Sequence, residues 1–104
     1  MPADNDAAWP WKDSPVCLIT GSARGLGRGV AAALARRGAT VLLSARDPAK
    51  AAAAAALPSG EGAGELRSLP DGLDVTDAAS INAAATAIQR SYGRVDVLIN
   101  NAAA

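Results

Sequence analysis

A glycine-rich segment near the start of the chain has the composition and spacing of a phosphate-binding turn. Residues 20–27 read TGSARGLG, which places glycines at positions 21, 25 and 27. Glycine allows a sharp backbone turn and a close approach to a ligand. A helix that begins at such a turn offers free N–H groups and the positive end of its dipole to an anion. The segment therefore predicts a phosphate or diphosphate site, with a tight turn that binds nothing as the alternative.

The residues around the glycines disfavour two other nucleotide sites. A P-loop requires Lys and then Ser or Thr after its last glycine, whereas Arg28 and Gly29 stand there. A methyltransferase usually carries a carboxylate at the end of its second strand for the ribose hydroxyls, whereas Ala45 and Arg46 occupy that place. Both differences favour a dinucleotide turn.

The glycine turn must be positioned by the strand before it and the helix after it, and the whole chain alternates in this way. The predicted strands are Val16–Thr20, Thr40–Ala45, a segment within Glu65–Val75, and Val95–Ile99. The first predicted helix follows the turn, with Leu26, Val30 and Leu34 on one face and Gly38 as its C-cap.

Two further helices are predicted between the later strands. One begins with Asp47 as N-cap and Pro48 at its first position, and ends at Leu57-Pro58. The other begins at Thr76-Asp77 and ends at Gly93. We expect its buried face to consist of Ile81, Ala85, Ile88 and Tyr92.

This alternation predicts an α/β fold with a parallel sheet. Each helix is long enough to connect two parallel strands, and right-handed crossovers then give the strand order 3-2-1-4. The fold class is a partial Rossmann-type doubly wound sheet of four strands and three helices. Pro70 lacks the N–H group that a central strand requires, which favours an edge position for the third strand.

Composition excludes several classes of protein. Ten Lys and Arg residues balance ten Asp and Glu residues among 104, so we expect neither nucleic acid nor a membrane as a partner. One cysteine and no histidine disfavour a disulfide or a metal site. Residues 1–14 lack the features of a signal peptide and are expected to form a disordered leader before one domain at residues 15–104. These observations predict a cytoplasmic location.

Three motifs together resemble the N-terminal half of a short-chain dehydrogenase/reductase. They are TGSARGLG, the LDVTD segment at residues 73–77, and VDVLINNAAA at residues 95–104. The stretch LLSARDPAKAAAA is further similar to carbonyl-reductase-like members of that family. The resemblance implies that residues 15–104 are the dinucleotide-binding part of a Rossmann domain.

The resemblance also implies which residues contact the coenzyme. It assigns the turn to Gly21, Ser22, Arg24, Gly25, Leu26 and Gly27. It assigns the adenine to Asp74 and Val75, and the coenzyme ribose to Asn101 and Ala102. A helix-entry carboxylate at Asp74 and a turn cap at the asparagine pair are the alternatives.

Three positions near these motifs carry further expectations. The resemblance implies that Asn100 ties strands together. Ala103 replaces a glycine of the family, which would make the approach of the backbone to the nicotinamide less free. Asp71-Gly72 has the form of a two-residue insertion before Leu73, and it would shift the adenine contact.

The residue that closes the second strand predicts NADP rather than NAD. A carboxylate there would accept hydrogen bonds from both ribose hydroxyls of NAD and repel a 2′-phosphate. This chain has Ala45 followed by Arg46, whose guanidinium can donate two parallel hydrogen bonds to a phosphate. Arg24 offers a second cation to the same site, while Asp47 suits N-capping. Solvated surface charges are the alternative for both arginines.

The resemblance implies hydride transfer between a nicotinamide and a carbonyl or alcohol. The Ser, Tyr and Lys that perform it in the family follow the fourth strand, and Tyr92 is expected to pack in the core. We therefore expect an inactive coenzyme-binding fragment of an NADP(H)-dependent oxidoreductase. The alternative is a non-catalytic NAD(P)-binding module that regulates or docks a partner through Trp9 and Trp11.

The same sequence carries an expectation about assembly. The outer edge of the fourth strand is apolar, which predicts self-association of the fragment. The resemblance implies a homo-oligomer for a full-length parent.

Overall fold

The computed structural model describes residues 14–57 and 64–102, in which strands and helices alternate. The strands are β1 (Val16–Ile19), β2 (Thr40–Leu43), β3 (Glu65–Ser68) and β4 (Val97–Ile99). The helices are α1 (Gly25–Arg36), α2 (Pro48–Ala56) and α3 (Ala78–Ser91). The predicted leader, with Trp9 and Trp11, lies outside the described residues except for Ser14.

The four strands form one parallel sheet in the order β3-β2-β1-β4. Leu18 of β1 aligns with Leu42 of β2 on one side and with Leu98 of β4 on the other. Leu42 in turn aligns with Arg67 of β3. The predicted α/β fold and its strand order 3-2-1-4 are confirmed.

One face of the sheet is covered by α1 and α2. Alternate residues of a strand point to opposite faces, and the first face receives Cys17 and Ile19 from β1 and Val41 and Leu43 from β2. The two helices cover these side chains mainly with alanines, among them Ala31, Ala35 and Ala54. Because alanine is small, both helix backbones lie close to the sheet.

The other face is covered by α3 and by the chain that leads to it. Val16, Leu18 and Leu42 point to this face. Ala84 and Ile88 of α3 pack on them, together with Leu69 and Leu73 from the connection between β3 and α3. Helices on both faces of a parallel sheet make the fold doubly wound.

The ends of the helices follow the predicted capping residues. The carboxylates of Asp47 and Asp77 accept hydrogen bonds from the backbone N–H groups of Ala49 and Ala79, the second residues of α2 and α3 respectively. Gly38 follows α1 with φ 106°, in the left-handed region where glycine is favoured. Leu57 ends α2 in an extended conformation, as expected of a residue that precedes proline. No helix in the described ranges combines the length and apolar character needed to cross a membrane.

The third strand is at the predicted edge, but the reason given for it is wrong. β3 ends at Ser68, so Pro70 lies in the turn that follows and not in the strand. Alternate residues of β3 are exposed at this edge. Two of them, Glu65 and Arg67, form an ion pair of 3.0 Å on the surface. Residues 58–63, which include most of the glycine-rich segment before β3, lie outside the described residues.

The predicted buried face of α3 is wrong in half of its members. Ile88 is buried and Tyr92 packs against the second core, but Ile81 is 45% exposed and Ala85 is exposed. The described sheet ends at β4 on this side, and α3 extends beyond what the sheet covers. Ile81 and Ala85 line an apolar groove of about 520 Å³ that also includes Leu98 of β4. The prediction of self-association stays a prediction.

Asp96 joins the start of β1 to the start of β4. Its carboxylate accepts hydrogen bonds from the Val16 N–H at 2.8 Å and from Arg94 Nε at 2.8 Å. Its own backbone N–H donates to the Val16 carbonyl at 2.8 Å. The Arg94 hydrogen bond, followed by that of Val16, lowers the pKa of Asp96 below its ordinary value.

We expect Asp96→Asn to destabilise the fold at neutral pH, because the neutral amide replaces an ionised acceptor. A carboxylate with a lowered folded-state pKa stabilises the fold above its unfolded pKa of roughly 3.9, and this stabilisation is lost as the pH falls through the folded-state pKa. The difference in free energy of unfolding between the two proteins should therefore be present at pH 7 and shrink in acid. Urea titrations across this range measure it, with Asp71→Asn, at an exposed carboxylate, as the control. A difference that does not change with pH would contradict the assignment.

Candidate functional site

A cavity of about 450 Å³ lies at the carboxyl ends of the strands. Every strand is followed by a segment that contributes to it, as expected for a ligand site in a doubly wound sheet. Its lining consists of Gly21, Ala23, Arg24, Ala45, Arg46, Asp47, Lys50, Leu73, Asp74, Val75, Thr76, Asn101 and Ala102. The predicted glycine turn therefore lies beside a cavity that is positioned as a ligand site would be in this type of sheet.

Buried serines fasten the glycine turn to β1 and to the end of β2. The Ser22 hydroxyl donates to the Ile19 carbonyl at 2.7 Å and accepts from the Ser44 N–H at 3.0 Å. The Ser44 hydroxyl donates to the same Ile19 carbonyl at 3.0 Å, and the Ser22 N–H donates to the Ser44 carbonyl at 2.8 Å. Both side chains are fully buried. The turn is thus held against two strands before any ligand arrives.

Thr20 fastens the same turn to the segment after β4. Its buried hydroxyl accepts hydrogen bonds from the backbone N–H groups of Asn101 and Ala102, at 2.9 and 3.0 Å. The Asn101 side chain returns the contact by donating from Nδ2 to the Gly21 carbonyl at 2.9 Å. These bonds tie the turn to the segment after β4. Asn100 lines the apolar groove, and its implied role in tying strands stays a prediction.

The three glycines of the turn are required for different reasons. A Cβ at Gly21 would lie 2.9 Å from the Ala102 Cα, and one at Gly27 would lie 2.6 Å from Asn101 Nδ2. Both positions are therefore closed by the segment after β4. A Cβ at Gly25 would meet no atom within 4 Å, but the residue adopts φ +62°, which disfavours other side chains. Gly25 leaves open space at the first residue of α1.

The N-terminus of α1 differs from those of the other two helices in having no capping side chain among the described residues. Arg24 is its N-cap residue, makes no capping hydrogen bond, and is followed by no acidic residue in the first turn. The first N–H groups of a helix have no partner within the helix, and α2 and α3 satisfy theirs with Asp47 and Asp77. The start of α1 is therefore suited to an anion.

Arg28 belongs to the structure and not to this cavity. Its Nε donates to the Ala54 carbonyl at 3.0 Å and its guanidinium also donates to the Leu57 carbonyl at 3.1 Å. These carbonyls are at the C-terminus of α2, where a cation is favourable. The residue at the position of a P-loop lysine thus binds another helix end.

Cations gather on one side of the cavity, at the end of β2. Arg46 follows Ala45 there, Lys50 lies on the first turn of α2, and Arg24 faces them from the glycine turn. The nearby carboxylate of Asp47 accepts a hydrogen bond from the Ala49 N–H at 2.9 Å. It is used as the predicted helix cap, which leaves three cationic side chains around this part of the cavity.

Asp74 forms a small turn that also lines the cavity. Its carboxylate accepts from the Thr76 hydroxyl at 2.6 Å and from the Thr76 N–H at 2.9 Å. These two hydrogen bonds, the hydroxyl first, lower the pKa of Asp74, and the charge of Arg46 adds a smaller effect in the same direction. Asp77 caps α3, so Asp74 is not itself the cap.

Seven of the eleven predicted coenzyme residues line the cavity: Gly21, Arg24, Arg46, Asp74, Val75, Asn101 and Ala102. Ser22, Gly25, Leu26 and Gly27 are not among its lining residues. The buried Ser22 side chain points into the protein, and Leu26 is 78% exposed on α1. The predicted contacts of these two residues with a coenzyme stay predictions. Their backbone positions still form the turn and the helix start.

Sequence reasoning missed Lys50, Leu73 and Thr76, which also line the cavity. Lys50 lies in the first turn of α2, the helix that directly follows Arg46, and this nearness in sequence was a usable signal. The position of Leu73 depends on the turn before it, which the sequence pattern does not specify. No cluster of three potential metal ligands occurs among residues 14–57 and 64–102.

The parallel sheet of order 3-2-1-4, with a glycine turn and a cavity at its carboxyl edge, defines a protein of the Rossmann class. Residues 15–104 match the family model described as short chain dehydrogenase. The chain therefore belongs to the short-chain dehydrogenase/reductase family, as its motifs predicted.

Individual relatives and structures agree with this placement. The chain is 43% identical over 91 residues to galactitol 2-dehydrogenase of Agrobacterium fabrum, covering 88% of this chain and 33% of that protein. L-sorbose reductase from Gluconobacter frateurii, complexed with NADPH and L-sorbose, matches with a TM-score of 0.77 at 28% identity, over 88% of this chain and 34% of that chain. An NADH-dependent reductase complexed with NAD matches with a TM-score of 0.68 at 32% identity, over 88% and 37% respectively. The chain spans between about a third and a half of the length of the curated relatives that it matches.

We expect Gly27→Ala to disturb the glycine turn, whereas Gly29→Ala on the same helix should not. The new Cβ at position 27 would meet Asn101 Nδ2 at 2.6 Å and the Gly21 carbonyl oxygen at 2.9 Å, while position 29 is open. Overpacking of this kind costs about 1–3 kcal/mol, and alanine at position 29 should stabilise the helix by about 0.5–1 kcal/mol. Chemical denaturation of both variants measures the difference. Equal stabilities would contradict the packing described for the turn.

Proposed function

We propose that this chain binds NADP(H) and forms the coenzyme-binding part of an oxidoreductase that acts on a carbonyl or alcohol substrate. When bound, the nicotinamide supplies or accepts a hydride. The observation that carries the proposal is the position of Arg46, at the end of β2 and in the wall of the cavity. Membership of the short-chain dehydrogenase/reductase family supports the reaction class.

The residues of the cavity fit the diphosphate of such a coenzyme. The uncapped start of α1 offers backbone N–H groups and the positive end of the helix dipole. Gly25 leaves the space beside this helix end open. The Asn101 side chain is already engaged with the turn through the Gly21 carbonyl, so it helps to hold the turn in shape for binding.

The charges around the end of β2 fit a 2′-phosphate better than a free ribose hydroxyl pair. Ala45 provides no carboxylate to accept hydrogen bonds from the two hydroxyls of NAD. Arg46 and Arg24 line the cavity, and guanidinium groups match phosphate geometry with paired hydrogen bonds. The relatives with solved structures include complexes with NADPH and with NAD, so the preference rests on these side chains.

We expect Arg46→Glu to reverse the coenzyme preference. Loss of a charge-assisted hydrogen bond contributes about 1.5–3 kcal/mol, which lowers NADPH affinity about ten- to hundredfold. The new carboxylate would also accept hydrogen bonds from the ribose hydroxyls of NADH. Calorimetric titration of each variant with both coenzymes measures the change.

Arg90→Glu provides the matched control for this substitution. It makes the same change of charge on the exposed surface of α3, and Arg90 does not line the cavity. Its two affinities should stay near those of the unaltered chain. An unaltered chain that binds NADH as tightly as NADPH, or more tightly, would contradict the proposed preference.

We expect the chain to bind coenzyme without turning over substrate. Tyr92 packs against the second core and is the only tyrosine of the sequence. Lys50 belongs to α2, which covers the opposite face of the sheet, so these two residues do not form a proton-transfer pair. Incubation with NADPH and simple ketones, followed by coenzyme absorbance, should show no rate above the protein-free control. Measurable turnover would overturn this assignment.

A further inference from the structure

The segment between β3 and α3 is fastened directly to the end of β2. The Leu69 N–H donates to the Leu43 carbonyl at 3.0 Å, and the Leu73 N–H donates to the Ala45 carbonyl at 2.7 Å. Both leucine side chains are buried in the second core. The segment therefore continues the alignment of β3 with β2 past the last residues of both strands.

Gly72 lies between these two attachments and touches the backbone of Arg46. It is buried and adopts φ +76°. A Cβ at this position would lie 2.6 Å from the Arg46 carbonyl oxygen, 3.0 Å from the Ala45 carbonyl oxygen and 3.2 Å from the Pro48 Cδ. The glycine thus fits against the turn that carries Arg46 from β2 into α2.

The two sides of this contact differ in how easily they can move. Leu69 and Leu73 are 3% and 8% exposed and fix one side in the core. Arg46 and Asp47 are exposed on the other side. A side chain added at position 72 would consequently displace the turn at Arg46 more readily than the segment that carries the two leucines.

We propose that Gly72, in the two-residue Asp71-Gly72 segment noted in the sequence, is a positioning residue for coenzyme specificity. It sets the place of Arg46 in the cavity wall, and Leu73 and Asp74 of the same segment line the cavity next to it. One turn therefore fixes the position of the Arg46 backbone relative to Leu73 and Asp74. This inference rests on the proposed binding of NADP(H), and it assigns the selection of the 2′-phosphate to a residue that carries no side chain.

The experiment compares Gly72→Ala with Gly93→Ala. Gly93 adopts φ +77°, which equals the strain at position 72, but a Cβ there would meet no atom within 4 Å. The pair therefore separates the contact with Arg46 from the cost of a left-handed backbone. The probes are 2′,5′-ADP and 5′-AMP, which differ only in the 2′-phosphate, and calorimetry measures their affinities for the full chain.

Gly72→Ala should weaken 2′,5′-ADP binding about tenfold or more, which corresponds to about 1.4 kcal/mol, and should change 5′-AMP binding much less. Gly93→Ala should leave the ratio of the two affinities unchanged. Asparagine tolerates positive φ better than alanine, so Gly72→Asn and Gly93→Asn repeat the comparison with less backbone strain. Denaturation curves establish that each variant is folded.

The outcomes separate this inference from the function on which it rests. An unaltered chain that binds neither 2′,5′-ADP nor NADPH overturns both. An unaltered chain that prefers 2′,5′-ADP, with the same preference retained in Gly72→Ala and Gly72→Asn, overturns the role of Gly72 alone. An equal loss of both ligands in the position-72 variants also overturns it, because that result indicates a general disturbance of the site.

Discussion

Buried hydrogen bonds hold residues 20–22 against the ends of three strands, and the rest of the site depends on them. Ser22 binds the end of β1 and the residue after β2, while the hydroxyl of Thr20 binds the segment after β4. A buried donor or acceptor without a partner costs about 1–3 kcal/mol, so each of these bonds constrains the path of the chain. Because these bonds fix the turn on the sheet, Gly21 and the α1 N-cap residue Arg24 are held at the cavity in advance of any ligand.

The glycine pattern combines two different physical requirements. Gly21 and Gly27 accommodate the protein itself, because the segment at residues 101 and 102 occupies the space that their side chains would need. Gly25 accommodates a backbone angle and leaves open space where α1 begins. The three glycines together therefore indicate two features of the structure. The segment after β4 packs directly on the turn, and the first residue of α1 is accessible. This dual origin explains why the spacing of the motif is informative about fold and site together.

The sequence was sufficient for the sheet order and the helix caps, since each depends on local chemistry or on the handedness of crossovers. Asp47 and Pro48, for example, specify a helix start without reference to the rest of the fold. Seven of the eleven residues predicted to contact the coenzyme line the cavity, and their contacts with it stay predictions. The buried face of α3 was not predictable in the same way, because Ile81 and Ala84 are both apolar and only the extent of the sheet decides which is covered. The sequence pattern also does not show that the Ser22 side chain points into the protein. Its partner Ser44 is distant in the sequence, and its contact with the Ile19 carbonyl exists only once the turn has formed.

Two carboxylates border a cavity that we propose binds an anion, and their local hydrogen bonds make this arrangement workable. Asp47 and Asp74 each accept a hydrogen bond from the backbone N–H two residues later. The bonds from Thr76 lower the pKa of Asp74, which therefore keeps its charge, and the charge of Arg46 contributes to the same effect. Such short side chains stay bound to their own turns, whereas Arg46 and Lys50 have long side chains that can extend toward an incoming phosphate. The carboxylates of Asp47 and Asp74 are thus held in place by hydrogen bonds, whereas the long side chains of Arg46 and Lys50 can reorient toward a ligand. This difference favours an anion at the end of β2.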